Sequence, residues 1–217
     1  KFNGLQSYWN SNGNKVEEKN YIHGKQQGLW TIYYKETGIK KEETNYVDGV
    51  QEGLWTEWFE DGQKRRERNF KNGERDSIWT TWYKNGNKKF LATYINGKLN
   101  GKYIRWYEGG IIKELDGDYL NNKKHNKWIF WAKNGQKTEE ISYNNGVYHG
   151  SHIKWYGDTN DQHKSFHVNY KNGAKDGDWH YWYASGIDSL KSNYLDGKKD
   201  GHWVWWRKNG LKDKEGF

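Results

Sequence analysis

The chain has 217 residues, with 36 Lys and Arg against 28 Asp and Glu, so its formal net charge is +8. It contains no Cys, which excludes disulfide bonds, thiolate metal sites and cysteine nucleophiles. A hydrophobic fraction of 33% would place it near the disordered class, but 15 Trp, 17 Tyr and 7 Phe supply bulky side chains for packing. We therefore predict an ordered chain with an aromatic core.

The distribution of charge and apolar residues narrows the classes of partner. Lys and Glu alternate along the chain instead of clustering, which indicates a solvated surface and argues against a nucleic-acid interface. The longest apolar run, near Trp128 to Ala132, is far shorter than a transmembrane segment. Because the chain has no Met, we expect Lys1 to follow a processing or truncation site.

One sequence unit, called a repeat below, recurs along the chain. It has a lead Gly, an aromatic residue two positions later, a second aromatic residue after five, a turn Gly after nine and a Tyr after seventeen. A period of this length indicates a repeat architecture. We predict one domain over residues 1–217, with repeats that start near Gly4, Gly28, Gly53, Ser77, Gly101, Asn126, Gly150, Gly177 and Gly201.

Each repeat has the composition of a β-hairpin. In the fourth repeat, Trp79 to Tyr83 is rich in Trp and Thr, the turn sequence "KNGN" follows, and a second strand runs to Tyr94. The pair Asn96-Gly97 then favours a tight turn into the next repeat. The sequence thus predicts an all-β fold, an elongated single-domain solenoid of consecutive antiparallel β-hairpins with about 17 strands.

The even period of 24 residues predicts which side chains share a sheet face, because strand side chains alternate with period two. One face should carry a first aromatic column, together with the Tyr of the return strands: Trp30, Trp55, Trp79, Trp128, Trp179 and Trp203. The other face should carry a second aromatic column: Trp9, Tyr33, Trp58, Trp82, Trp106, Trp131, Trp155, Trp182 and Trp206. We also expect Lys88 to make a cation–π contact with Tyr83.

No catalytic, cofactor or metal site emerges from the residues. His149 and His152, and the pair His163 and His167 at the loop that contains Asp158 and Asp161, match no metal-binding spacing. The Glu and Lys of the return strands recur in many repeats, whereas a catalytic pair is needed only once, so they indicate cross-strand charge partners. We expect a protein that is not an enzyme and that holds neither cofactor nor metal.

The repeat resembles the MORN repeat, in particular its bacterial variant, in stretches such as "GLWTEWFEDGQKRRERNFKNGE" and "SIWTTWYKNGNKKFLATYINGK". The resemblance covers nearly the whole chain, although Gln6 and His152 replace the first aromatic residue and Ser77 and Asn126 replace the lead Gly. It implies a scaffold for protein–protein interaction, and the bacterial variant is often described as antitoxin-like. It leaves the bacterial cell envelope, the cell surface and the cytoplasm open as the location.

The second aromatic column is the candidate binding site, because a row of partly open Trp side chains would form a long surface for a partner. Its candidate residues are Trp58, Trp82, Trp106, Trp131, Trp155, Trp182 and Trp206. The expected partner is another protein. Two alternatives stay open, a surface module that binds cell-wall carbohydrate or choline, and one that binds anionic phospholipid.

Overall fold

Hairpins account for the whole secondary structure of the computed structural model, which describes residues 2–157 and 162–217. These residues form 20 β-strands and no helix. They divide into two compact units, the first from Lys1 to Gly110 and the second from Ile111 to Phe217. Asp158 and Asp161, which lie between the candidate histidines, are outside the described residues. The prediction of one domain over residues 1–217 stays a prediction.

The first unit contains eleven strands, each paired antiparallel with the strand that neighbours it in sequence. Their bounds are β1 Gly4–Trp9, β2 Lys15–Ile22, β3 Lys25–Gln26, β4 Gly28–Tyr33, β5 Lys40–Val47, β6 Val50–Gln51, β7 Gly53–Trp58, β8 Lys64–Lys71, β9 Glu74–Trp82, β10 Lys88–Ile95 and β11 Lys98–Trp106.

The second unit contains nine strands with the same consecutive antiparallel pairing. Their bounds are β12 Lys113–Leu120, β13 Lys123–Trp131, β14 Lys137–Asn144, β15 Val147–Trp155, β16 Lys164–Lys171, β17 Ala174–Trp182, β18 Asp188–Leu195, β19 Lys198–Trp206 and β20 Lys212–Gly216. The all-β fold of consecutive hairpins is therefore confirmed. The strand number exceeds about 17 because Gln27 and Glu52 each split one predicted strand and because the ninth repeat forms both of its strands.

Two kinds of turn alternate along the chain. Between repeats, Asn96 and Gly97 both have positive φ, 46° and 74°, as a two-residue hairpin turn of type I′ requires. Within a repeat, the turn after Tyr83 has three residues, and Gly86, at φ 83°, donates its N–H to the Tyr83 carbonyl at 3.0 Å. This longer turn is accompanied by a bulge in the following strand, where the register shifts between Lys88 and Phe90.

The longer turn corrects the predicted contact of Tyr83. The ammonium group over the Tyr83 ring belongs to Lys89, at 5.2 Å from the ring centroid. Lys88 instead pairs in the ladder with Trp82. The sequence argument assumed two residues in both turns, and the third turn residue with its bulge moves the contact by one position.

The lead residue forms a second recurrent bulge from the fourth repeat onward. All nine lead positions have positive φ, from 55° at Ser77 to 108° at Gly101. The strand register shifts beside this position, for example between Glu67 and Asn69 opposite Ser77. Two residues later, the indole N–H of the first-column Trp donates to a carbonyl on the preceding strand, as Trp79 does to Asn69 at 3.0 Å. The same bond at the same distance recurs for Trp30, Trp128 and Trp179.

The core lies on the face of the first aromatic column. Trp79 packs between Phe70 of the preceding return strand and Tyr94 of its own repeat, with ring centroids 5.4 and 4.8 Å away. Equivalent chains of rings link Tyr119, Trp128 and Tyr143 in the second unit. The predicted sharing of this face by the first column and the return-strand Tyr is therefore confirmed.

Cationic side chains cover this aromatic core. The Arg68 guanidinium lies 4.6 Å from the Trp55 ring and 4.9 Å from the Trp79 ring, and Lys175 lies 4.3 Å from the Trp179 ring. Their aliphatic stems exclude water from the rings. Arg68 is itself partly buried there, and burial lowers its pKa. A single layer of sheet can thus bury first-column Trp side chains to exposures of 2–9% in five repeats.

Candidate functional site

The second aromatic column occupies one defined place in the hairpins. Each of the seven candidate residues is the last residue of its strand, immediately before a turn within the repeat. Three of them lie in the first unit and four in the second: Trp58, Trp82 and Trp106, and then Trp131, Trp155, Trp182 and Trp206. Consecutive members within a unit are two strands apart, or about 10 Å at ordinary strand spacing.

The two aromatic columns lie on opposite faces and differ in burial. Trp79 and Trp82 are three positions apart in β9, so their side chains point to opposite faces. Trp79 is 8% exposed, whereas Trp82 and the other six candidate residues are half-buried. The first column therefore forms the core, and the second column keeps ring surface open to solvent.

The backbone beneath the second column is fixed by the preceding repeat. The Tyr34 hydroxyl donates to the Trp58 carbonyl at 2.8 Å, and the Tyr83 hydroxyl donates to the Trp106 carbonyl at 2.7 Å. The second unit repeats the bond at Trp182 and Trp206. A half-open ring on a hydrogen-bonded backbone is a preorganised contact group, because little entropy remains to be lost when a partner binds.

Ion pairs border the open rings. Lys40 lies 5.9 Å from the Trp58 ring and is bound to Glu43 at 2.5 Å, and this hydrogen bond raises the pKa of Lys40. Lys191 lies 5.4 Å from the Trp206 ring and is bound to Asp188 at 2.6 Å. These two rings are thus each flanked by a cation and a carboxylate, which gives the column an apolar centre and a polar rim at both positions.

A histidine joins this arrangement at Trp182. The His180 ring stacks on Trp182, with centroids 3.7 Å apart, and its Nε2 lies 2.7 Å from Asp188 Oδ1. Burial lowers the pKa of His180 even though Asp188 opposes the shift. Burial alone would raise the pKa of Asp188, but hydrogen bonds from Lys191 and His180 lower it overall. His180 was not singled out from the sequence, because the contact with Asp188 depends on the three-dimensional turn.

The other sequence candidates take structural contacts in the described residues. His152 Nε2 lies 2.6 Å from Glu139 Oε1, and Glu42 accepts a hydrogen bond from the Trp55 indole. His167 Nε2 lies 2.9 Å from the Ser151 hydroxyl. Within residues 2–157 and 162–217, no group of three or more His, Asp or Glu side chains is arranged to hold a metal ion.

The same described ranges contain no helix with the length and apolarity needed to cross a membrane. Several exposed residues that sequence reasoning did not single out are aliphatic. Leu29, Leu54 and Ile78 each follow a lead residue in the first unit, and each is more than half exposed. Their common position after the lead residue was a signal present in the sequence.

Comparison with known families agrees with this geometry. Residues 51–72, 75–96 and 124–145 match the family model described as the MORN repeat variant. No curated protein matches the chain. Each matched segment covers the first strand and the return strand of one hairpin, β7 with β8, β9 with β10, and β13 with β14. Unmatched repeats share their turns, bulges and aromatic columns. These three segments of the chain are MORN repeats of this variant.

Proposed function

We propose that the protein is a noncatalytic scaffold that binds another protein through the second aromatic column. The observation that carries the proposal is the contrast between the two columns, one buried as core and one half-open at the same place in successive hairpins. Large rigid rings are the side chains that most often dominate protein–protein binding energy. An apolar centre with a charged rim has the composition of such an interface.

Repetition adds to this argument. Each ring alone offers a small contact area, but consecutive rings about 10 Å apart can contact one extended partner simultaneously. We therefore expect affinity to be spread over several repeats, with the largest losses on substitution of Trp and small losses on substitution of single charges.

Ligand recognition by the rings is the second candidate. Choline-type cations bind over aromatic faces. Lys40 and Lys191 already hold ammonium groups within 6 Å of the Trp58 and Trp206 rings, so a cationic ligand would have to displace them. Anionic phospholipid would instead be drawn by the net charge of +8. The test below therefore also measures binding to both kinds of ligand.

The test compares the protein with the double variant Trp58→Ala and Trp82→Ala. A matched control removes two exposed rings outside the column, through Phe2→Ala and Phe217→Ala. Each protein is immobilised and exposed to lysate, to choline and glucan matrices, and to vesicles with and without anionic lipid. Lysate capture is repeated at several-fold higher salt, because apolar contacts survive salt that screens phosphate binding.

The proposal predicts a stoichiometric protein partner that the native chain and the control retain at high salt and that the column variant loses. Equal capture by the column variant and the control would contradict the role of the column. Binding to vesicles or to choline or glucan matrices, without a protein partner, would favour the second candidate.

A further inference from the structure

Arginine is concentrated in one stretch of the first unit. Four of the six Arg residues of the chain lie within eleven positions, 65–75, whereas Lys supplies most of the positive charge elsewhere. The planar guanidinium group of Arg has five N–H donors and binds the oxygens of a carboxylate or a phosphate in pairs, which an ammonium group does not. The stretch therefore indicates a local requirement for contacts with an oxyanion, and not for positive charge alone.

Arg68 occupies a core-facing position that is uncharged in most other repeats. It pairs in the ladder with Trp55 of the first aromatic column. The residues that pair with the corresponding position in other repeats include Thr44, Ala92, Ile141, Val168, Ser192 and Gly216. Lys19 is cationic at this place in the first repeat, but it is bound to Glu17 at 2.7 Å. The hairpin itself thus does not require a guanidinium group at position 68.

Aromatic rings hold two of the guanidinium groups beside one indole. Arg68 lies 4.6 Å from the Trp55 ring and 4.9 Å from the Trp79 ring. Arg75 lies 4.8 Å from the same Trp79 ring and 5.5 Å from the Tyr94 ring. Arg68 is half-buried and contacts a ring on each of the two neighbouring strands, whereas Arg75 is exposed and can adjust to a ligand. A single small anion beside Trp79 is therefore within the range of both side chains.

Neither of these two groups has a counterion. In the part of the chain that the structure describes, Arg68 and Arg75 form no ion pair, and the buried Arg68 Nε donates no hydrogen bond. Glu57, which attracts Arg68, is already bound by Arg65 at 3.0 Å and by Arg66 at 3.1 Å. Burial lowers the pKa of Arg68, and repulsion by Arg66 and Arg75 lowers it further. A partly buried cation without a counterion costs free energy, and an anionic ligand would offset that cost.

We propose that Arg68 and Arg75 bind one phosphate monoester group of a soluble ligand. Near pH 7 such a group has a charge of about −1.5 to −2, which matches two guanidinium groups without counterions, whereas one carboxylate supplies a single negative charge. Its three terminal oxygens can accept N–H donors from both side chains. Arg66, two positions before Arg68 in β8, lies on the same face and adds positive potential while it stays bound to Glu57.

The small extent of the cluster favours a soluble ligand over a polymer or a membrane. In the adjacent repeats, the positions equivalent to Arg68 and Arg75 are uncharged: Thr44, Gln51, Ala92 and Leu99. Glu42 places a carboxylate on the same face one repeat earlier, where it accepts a hydrogen bond from the Trp55 indole. Nucleic acids and anionic membranes present many phosphates and are bound by cations spread over a surface. Two Arg side chains at one place suit a single phosphate group.

The test is isothermal titration calorimetry of the whole chain with O-phosphoserine, and with glutamate as the carboxylate control. The Arg variant carries Arg68→Gln and Arg75→Gln. The matched control carries Lys175→Gln and Lys199→Gln, which remove two cations that cover first-column rings in the second unit. We expect the native chain and the control to bind phosphoserine with a Kd below about 1 mM, and the Arg variant to bind it at least about tenfold more weakly. The native chain should also bind glutamate at least about tenfold more weakly than phosphoserine.

Two further measurements separate binding from a structural role of the Arg side chains. Arg68→Lys with Arg75→Lys keeps both charges and should restore only part of the affinity, because an ammonium group cannot donate two parallel hydrogen bonds. Affinity for phosphoserine should fall between pH 7 and pH 5, as the phosphate takes up its second proton near pH 6. Circular dichroism checks that each variant keeps its strands. If loss of Arg68 impairs folding, Arg75→Gln alone, at an exposed position, still has to weaken binding.

Additional ligands identify the source of the phosphate group. A phosphoserine peptide that binds at least about tenfold more tightly than free phosphoserine would assign the site to a phosphorylated protein segment, and similar affinities would assign it to a small phosphorylated molecule. Either result supports the proposal. It would be overturned by no saturation with phosphoserine up to about 10 mM, by equal affinities of the Arg variant and the native chain, or by binding only to anionic vesicles or nucleic acid. Protein capture through the second aromatic column, on the opposite face, is a separate measurement, so either proposal can fail alone.

Discussion

Ser77 and Asn126 show how strongly the lead position constrains its residue. Both hold φ near 55° where the other seven repeats have Gly. For a residue with a Cβ, this left-handed conformation costs about 1–2 kcal/mol, and Asn is among the residues that tolerate it best. The lead position therefore carries a local energetic cost at Ser77.

We predict that Ser77→Gly stabilises the protein by about 0.5–1 kcal/mol, because relief of the left-handed strain exceeds the entropy that Gly adds to the unfolded chain. Asn126→Gly should have a smaller effect of the same sign. Urea unfolding measures the change. Ser142→Gly in extended strand β14 is the control and should destabilise by a similar amount. Destabilisation by Ser77→Gly would contradict the account of the lead position.

Gly117 is required for a different reason, the space beside Trp128. A Cβ added to Gly117 would lie 2.3 Å from Trp128 Cδ2, and Trp128 is 2% exposed. We predict that Gly117→Ala destabilises by about 1–3 kcal/mol through overpacking. Gly109→Ala is the matched control, because a Cβ there meets no atom within 4 Å and the backbone has no positive φ. Thermal unfolding of the two variants should differ clearly.

The two aromatic columns should respond differently to truncation. Trp79→Ala removes a ring that contacts Phe70 and Tyr94, and should cost about 3–5 kcal/mol. Trp82→Ala removes a half-exposed ring and should cost less than half as much. The comparison is made by urea unfolding. Equal losses at the two positions would assign the second column to the core and remove the basis for a binding surface.

At the scale of the hairpin, the sequence was sufficient to predict strand order, pairing and the face of each aromatic column, because Gly and aromatic residues recur at fixed intervals. It did not predict the contact between Lys89 and Tyr83, because the third residue of the turn within the repeat and the bulge after it have no distinct sequence pattern. The sequence also did not predict that Trp58 is half-buried, because the exposure of its ring depends on Lys40 and on the bond from Lys40 to Glu43. The ion pairs that border the candidate site are set by tertiary distance and not by spacing in sequence.

Two histidines on adjacent strands of the second unit should make the free energy of unfolding depend on pH. His167 in β16 pairs directly with His180 in β17, and burial lowers the pKa of both. Lys164 also lowers the pKa of His167, whereas Asp178 raises it. In the same way Lys191 lowers the pKa of His180, whereas Asp188 raises it.

The unfolded chain thus takes up protons at these histidines before the folded chain does. Their contribution to stability is present above about pH 6.5 and is lost as the pH falls through the lowered folded pKa values. We expect the free energy of unfolding to decrease between about pH 7.5 and pH 5. His167→Gln with His180→Gln should reduce this slope. An unchanged slope in the double variant would contradict the prediction.

At the scale of the whole chain, stability should be a sum of repeats and of contacts between neighbouring repeats. Deletion of Thr56–Trp79, 24 residues, joins Trp55 to Thr80 and keeps every later side chain in its column. We predict that this shortened protein folds and unfolds cooperatively. Deletion of Thr56–Ile78, 23 residues, moves each following side chain of β9 to the opposite face and should cost several kcal/mol. Equal stability of the two deletions, measured by urea unfolding, would show that the faces are not fixed by parity.

The packing of Trp79 against Phe70 of the repeat before it has a consequence for the order of assembly during synthesis. A hairpin that has just emerged finds its ring partner and its hydrogen-bonding strand already in place, so only contacts close in sequence have to form at each step. Growth from the amino-terminal side can then proceed without waiting for distant segments. If a ribosome pauses within a repeat, only the hairpin at the growing end of the chain lacks its packing partners.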